Sequence, residues 1–231
     1  MPRSTNDTSA LRNDLERYAE IAGVNFNCKM VDQVLTVFGD VYADPKSWVG
    51  VRTTTEPTGK RDVNFRYLNR STEHDVVERL RENGMVNFRG HPVEDLHSDI
   101  IARYSVHWGA DFTVSHGCQK IWALLPESVP VEDILGLPHL PEAARKHHSH
   151  FTRYWMDKVS LIALDFWNQS VNLYSGLLRP NQLTKYDVKE LIESLSFAVP
   201  SDEELLRDTE ALAAYYTFSW DYPGVCRLCF L

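Results

Sequence analysis

Apolar residues along this chain switch between a helical period near 3.6 and a strand period of two, and the switching itself recurs. Leu11, Leu15, Tyr18 and Ala22 fall on one face of a predicted first helix, and Val31, Val34, Leu35 and Phe38 on one face of a second. A strand pair is expected next over 48–55 and 61–69, turning at Pro57-Thr58-Gly59. Helices are predicted over 75–82, stopped by Asn83-Gly84, and over 93–104. A second hairpin takes 111–115 and 120–126 around His116-Gly117, and Pro-bounded helical segments at 131–136 and 141–154 lead to a third over 159–166 and 170–174. Val188, Leu191, Ile192 and Leu195 mark a further helix, and Ser201-x-x-Glu204 after Pro200 has the form of a capping box. The last pair is 215–221 and 225–231, turning at Pro223-Gly224. The order of elements recurs about every 50–60 residues, although the sequences themselves do not repeat.

Hairpins separated by helices indicate an α+β protein, either a sheet with helices on one side or a closed antiparallel barrel ringed by helices around a solvent-filled lumen. Helix pairs between hairpins favour the barrel. Alternation then assigns faces. Lys120, Trp122 and Leu124 share one face of their strand, while Ile121, Ala123 and Leu125 share the other. Arg52, Asn64 and Arg66 share a face of the first hairpin, and Arg227, Cys229 and Leu231 oppose Leu228 and Phe230 in the last. The apolar faces are expected to meet helices, and the faces with cations and aromatics to line a cavity.

Composition narrows the partners. A chain of 231 residues, 43% hydrophobic, can build one sizeable core, so 1–231 is expected to be a single domain. The formal charge of −8 gives no basic field to attract nucleic acid or an anionic membrane. Met1–Ala10 is polar and no apolar run reaches membrane-spanning length, so a cytoplasmic protein is expected and the sequons at Asn6, Asn69 and Asn168 read as chance matches. Four cysteines do not suggest a disulfide scaffold, and in an extended run Cys226 and Cys229 point to opposite faces. His147 and His150 could approach one another but have no third ligand, so with His148 they read as a solvated face, and His116 reads as a turn residue.

Four runs carry a family likeness: His91-Pro-Val-Glu-Asp-Leu96; Gln119-Lys-Ile-Trp-Ala-Leu-Leu-Pro126; Arg153-Tyr-Trp-Met-Asp-Lys-Val159 continuing to Asp165 and Val171-Asn-Leu-Tyr174; and Arg227-Leu-Cys-Phe230. No single run is specific, but in this order and spacing the chain resembles the aromatic prenyltransferases of the αββα (ABBA) barrel family. The resemblance implies transfer of an allylic isoprenyl group, dimethylallyl or geranyl, from its diphosphate to an electron-rich aromatic small molecule. It also implies diphosphate-binding roles for Lys120, Asn172, Tyr215 and Arg227, with Lys120, Tyr215 and Arg227 taking part in catalysis. Arg52 and Arg66 match basic residues of the branch that prenylates coumarin-antibiotic precursors. Taken singly each of these cations is a solvated surface charge; as a set converging on one lumen they need a multiply charged anion. Substrate-pocket positions implied in the same way are Asn64, Trp122, Leu124, Ser160, Ile162, Tyr174, Ala213, Thr217 and Leu231.

One branch of the family places an aspartate for magnesium where this chain has Asn64, a poor ligand, and no DDxxD motif occurs. No cofactor is therefore expected, with Mg2+ at most a companion of the diphosphate. The family barrel has about five helix–hairpin units by this resemblance and the chain supplies four, so it reads as C-terminally incomplete, with truncation favoured over a smaller barrel or a partner covering the open edge. Self-association through that edge is expected if the chain is natively this short. The alternative function is a non-catalytic aromatic- or prenyl-diphosphate-binding protein derived from such an enzyme.

Overall fold

The computed structural model describes residues 8–53, 61–69, 75–154, 156–176 and 178–231. The turn expected at 57–59 and the sequon at Asn6 lie outside them. Helix α1 (Ser9–Ala22) is followed by α2 (Cys28–Val37), whose first turn is capped by the Asn27 side chain accepting from the Met30 N–H, and by a short α3 (Gly39–Ala43) that the periodicity did not predict. Strands β1 (Ser47–Thr53) and β2 (Val63–Asn69) precede α4 (Val76–Glu82), where the Asp75 carboxylate accepts from the N–H groups of Val77 and Glu78. Then come α5 (Pro92–Arg103), β3 (His107–Thr113) and β4 (Gly117–Pro130). The helical stretch expected over 141–154 is two helices broken at His147, α7 (Glu142–Lys146) and α8 (His148–Arg153), after α6 (Val131–Leu135). The chain continues through β5 (Lys158–Asp165), β6 (Ser170–Ser175), α9 (Lys185–Ser194), α10 (Asp202–Asp208), β7 (Ala214–Ser219) and β8 (Arg227–Phe230). The capping box forms as predicted: Ser201 Oγ accepts from the Glu204 N–H and the Glu204 carboxylate accepts from the Ser201 N–H.

The eight strands make one sheet in chain order, β1 to β8, and the described pairs β1–β2, β2–β3, β5–β6, β6–β7 and β7–β8 are antiparallel. The order is linear, with β1 and β8 at its ends. The chain divides into two compact units, Met1–Asn87 with His107–Ala123, and Phe88–Val106 with Leu124–Leu231.

In unit 1, one face of the sheet carries Phe65, Tyr67 and Phe112 against Phe38 and Tyr42, with ring centroids 5.3–5.9 Å apart. This aromatic layer explains why α2 buries Val31, Val34, Leu35 and then Phe38. In α1 the buried stripe is Leu15 and Ala19; Tyr18, expected inside, is exposed. Unit 2 repeats the device: Tyr216 and Phe218 of β7 pack on Phe151 of α8 at 4.8 and 6.1 Å. Among the described residues no helix is long and apolar enough to cross a membrane.

Candidate active site

Because side chains alternate along strands, burying the aromatic layer of unit 1 sends Asn64, Arg66 and Leu68 to the other face of β2. Register sets their neighbours. Arg52 pairs with Asn64, which pairs with Thr113; Gly50 pairs with Arg66, which pairs with Asp111. Arg66 Nη2 donates to Asp111 Oδ2 at 2.6 Å, and Arg52 Nη2 lies 3.8 Å from the same oxygen. Asn64 Nδ2 donates to Asp111 Oδ1 at 3.3 Å and to Gln119 Oε1 at 2.6 Å. The Arg66 guanidinium also sits 5.0 Å from the ring centroid of Trp122, a cation–π contact.

Burial differs sharply across this group: the Asp111 side chain is 2% exposed, Arg66 16% and Arg52 57%. Burial pushes the Asp111 carboxyl above its ordinary range, opposed by Arg66 first, then Arg52, the Asn64 hydrogen bond and Lys120. Gly109 is where the ring of Trp122 gains its room. A Cβ there would meet Leu68 Cδ2, come within 2.8 Å of the Tyr67 carbonyl oxygen, and lie 3.0 Å from Trp122 Cε3.

Unit 2 holds the second polar group. Asn172 pairs with Thr217, and Thr217 with Arg227; Tyr174 pairs with Tyr215, and Tyr215 with Cys229. These residues therefore share one face, while Leu173, Tyr216 and Leu228 share the other. The rings of Tyr174 and Tyr215 lie 4.6 Å apart. Burial pushes the Tyr215 hydroxyl up to about 12, reinforced by hydrogen bonding with Cys229 and opposed by hydrogen bonding with Arg227, so at neutral pH it is a proton donor. Asn172 is buried and Arg227 exposed. Ser160 Oγ donates to the Ser175 carbonyl at 2.7 Å, the Leu231 N–H donates to the Ala213 carbonyl at 2.8 Å, Leu124 is half-buried, and Leu231 is exposed.

Two features depart from plain alternation. The register shifts between Val159 and Leu161, so Ile162 pairs with Leu173 and faces the buried aromatic layer, while Leu161 and Ala163 pair with Tyr174 and Asn172. Ile162, expected on the pocket face with Ser160, lies on the opposite one because this irregularity inserts a residue into the strand. In β4, Gln119 reaches Asn64 and Trp122 reaches Arg66, an odd separation that strict alternation does not allow. Gln119 and Asp111 were not singled out from the sequence.

The Asn64 amide nitrogen and the Asp111 carboxylate are engaged with one another and with Gln119 and Arg66. Among the described residues no three His, Cys, Asp or Glu side chains are grouped to hold a metal. The four cysteines are free thiols.

The profile of the family described as aromatic prenyltransferase Orf2 matches residues 6–231. The chain belongs to this family. It is 28% identical over 226 residues to the 5,10-dihydrophenazine-1-carboxylate 9-dimethylallyltransferase of Streptomyces anulatus, covering 96% of this chain and 75% of that protein. Against the flaviolin linalyltransferase of Streptomyces virginiae the identity is 25%, over 100% of this chain and 77% of the relative. An aromatic prenyltransferase of Aspergillus terreus is 29% identical over 71% of this chain and 49% of its own length. Membership in the aromatic prenyltransferase family makes the chain a transferase.

Proposed function

We propose that the protein joins an allylic isoprenyl group, dimethylallyl or geranyl, to a carbon of an electron-rich aromatic small molecule, with release of diphosphate. The observation that carries this reading is the pair Arg52 and Arg66 on the face opposite an aromatic core, with Lys120 acting on the same Asp111 carboxylate, in a member of this family. The C1–O bond of the donor breaks heterolytically and its electron pair leaves with the diphosphate. A ring carbon captures the allylic cation, and the proton on that carbon is then lost, restoring aromaticity. Diphosphate-binding roles are proposed for Arg52, Arg66 and Lys120 in unit 1 and for Asn172, Tyr215 and Arg227 in unit 2. Their pull grows as charge builds on the leaving group. Trp122 and Tyr174 offer π faces to the cation, and Leu124, Ser160, Ala213, Thr217 and Leu231 contact the substrates.

A metal-independent reaction is the reading that Asn64 supports, with Mg2+ only accompanying the diphosphate. Acceptors of the phenol, dihydroxynaphthalene or phenazine type are proposed, in keeping with the flaviolin and dihydrophenazine named for the relatives. The test is incubation of the protein with dimethylallyl or geranyl diphosphate and a panel of such acceptors, in excess EDTA, with products read by mass spectrometry. A prenylated product in EDTA supports the reading, and a strict magnesium requirement refutes its metal-free part. Donor binding with no product from any acceptor, with or without magnesium, refutes the enzyme reading and favours a binding protein.

A further inference from the structure

Asp111 has no role in the reaction as written above, yet it is the most buried charged group beside the proposed diphosphate cations. Its carboxylate is one anion among Arg52, Arg66 and Lys120, fixed by Arg66 Nη2 at 2.6 Å and Asn64 Nδ2 at 3.3 Å. Arg52, mostly exposed, stands at 3.8 Å from the same oxygen, at the long limit of an ion pair. Arg66 is thus gripped by a carboxylate at its edge and by the Trp122 ring across its face. A surface ion pair of this kind would be worth little. This one is buried on the Asp111 side and shares its cations with the ligand the site is proposed to bind, so carboxylate and diphosphate compete for the same two guanidinium groups.

We propose that Asp111 is a built-in counter-anion for this site, a positioning residue that weakens ground-state binding of diphosphate and speeds release of the diphosphate product. The inference rests on the prenyltransferase reading. In the free protein the carboxylate keeps Arg66 and Arg52 converged, and the donor's diphosphate draws on the charge they share with it. Once the C–O bond has broken, the carboxylate is still in place to take the guanidinium groups back as diphosphate leaves. A group that only stabilised the fold could lower affinity when removed, but it could not raise it.

The test is calorimetric titration of inorganic pyrophosphate into wild type, Asp111→Asn and Asp111→Glu, with steady-state kinetics on dimethylallyl diphosphate. Asp111→Asn keeps the side chain's shape and removes its charge. The expected result is tighter pyrophosphate binding by about tenfold, a lower donor KM, and a kcat that falls as product release slows. Asp111→Glu, which keeps the charge, should bind pyrophosphate no tighter than wild type. Should Asp111→Asn not fold, Arg66→Gln and the double variant Arg66→Gln/Asp111→Asn decide. The single variant should bind about tenfold more weakly, and the double variant should return to within about threefold of wild type. Equal or weaker binding by folded Asp111→Asn, or no recovery in the double variant, overturns the counter-anion role alone. Wild type that binds neither pyrophosphate nor donor overturns it together with the prenyltransferase reading.

Discussion

In unit 1 the polar face is closed on itself: Arg66, Asn64, Gln119 and Asp111 hold one another through three hydrogen bonds to or from the Asn64 amide and the Asp111 carboxylate, and Trp122 covers the guanidinium. Among the described residues of unit 2, the corresponding face has its buried carboxylate, Asp165, in the row of Ser170 and Ser219 and not in that of Arg227. Arg227 is exposed on β8, and its neighbours in register are Thr217 and, one row on, the Tyr215–Cys229 pair. Both faces arise in the same way, from an aromatic layer buried on the opposite side of the strands. The difference teaches how much each cation is committed before a ligand arrives. Unit 1 trades free charge for fixed geometry, whereas Arg227 is exposed and hydrogen-bonded with the uncharged Tyr215 hydroxyl.

If that contrast is right, the two regions fail differently when cut. Asp111→Ala strands a partly buried arginine and an amide that has lost its acceptor, so unfolding free energy should drop by about 3 kcal/mol, measured by denaturant titration. A loss under about 0.5 kcal/mol would show that the cluster is not closed in the way described. Arg227→Ala should leave stability within about 0.5 kcal/mol, as for an ordinary exposed site. In turnover it should cost about 2–4 kcal/mol in kcat/KM for the donor, and Arg227→Lys should recover only part of that, because a lysine cannot match the guanidinium fork. An unchanged kcat/KM in the folded variant would remove Arg227 from the proposed site.

Gly109→Ala tests the support of the unit 1 cluster without touching a charge. The added methyl would crowd Leu68, the Tyr67 carbonyl and the Trp122 ring. It should destabilise the protein by about 1–3 kcal/mol, through forced repacking. A neutral effect would mean that Trp122 is not confined where the cation–π contact places it.

The smallest effect belongs to His150 of unit 2, where burial pushes the imidazole pKa down to about 4, with His147 and Arg153 acting in the same sense. The unfolded chain protonates this residue near the ordinary value of about 6.5, so between there and about 4 the unfolded state binds the proton that the folded state refuses. Stability should therefore fall as pH drops through that window. His150→Phe should flatten the fall in melting temperature, and an identical pH profile would show that the ring is solvated.

Much of the fold was legible because periodicity and turn chemistry agreed. Val31, Val34, Leu35 and Phe38 are buried as their spacing required, and the Ser201–Glu204 box caps its helix. The face shared by Arg52, Asn64 and Arg66 also followed from alternation alone. What alternation cannot supply is an inserted residue, which is why Ile162 lies on the face of β5 opposite to the one its spacing from Ser160 predicts. Asp111 was hidden for a different reason. Its meaning lies in a cross-strand partner 45 residues away, and no local pattern announces that pairing.

The assignment of the unit 1 cations to a prenyl diphosphate is tested most directly by titrating a non-reactive thiolodiphosphate analogue of the donor, in EDTA, into wild type and Arg66→Ala. Binding to wild type that is about tenfold weaker in the folded variant is the result expected. Binding that the substitution does not disturb would contradict it.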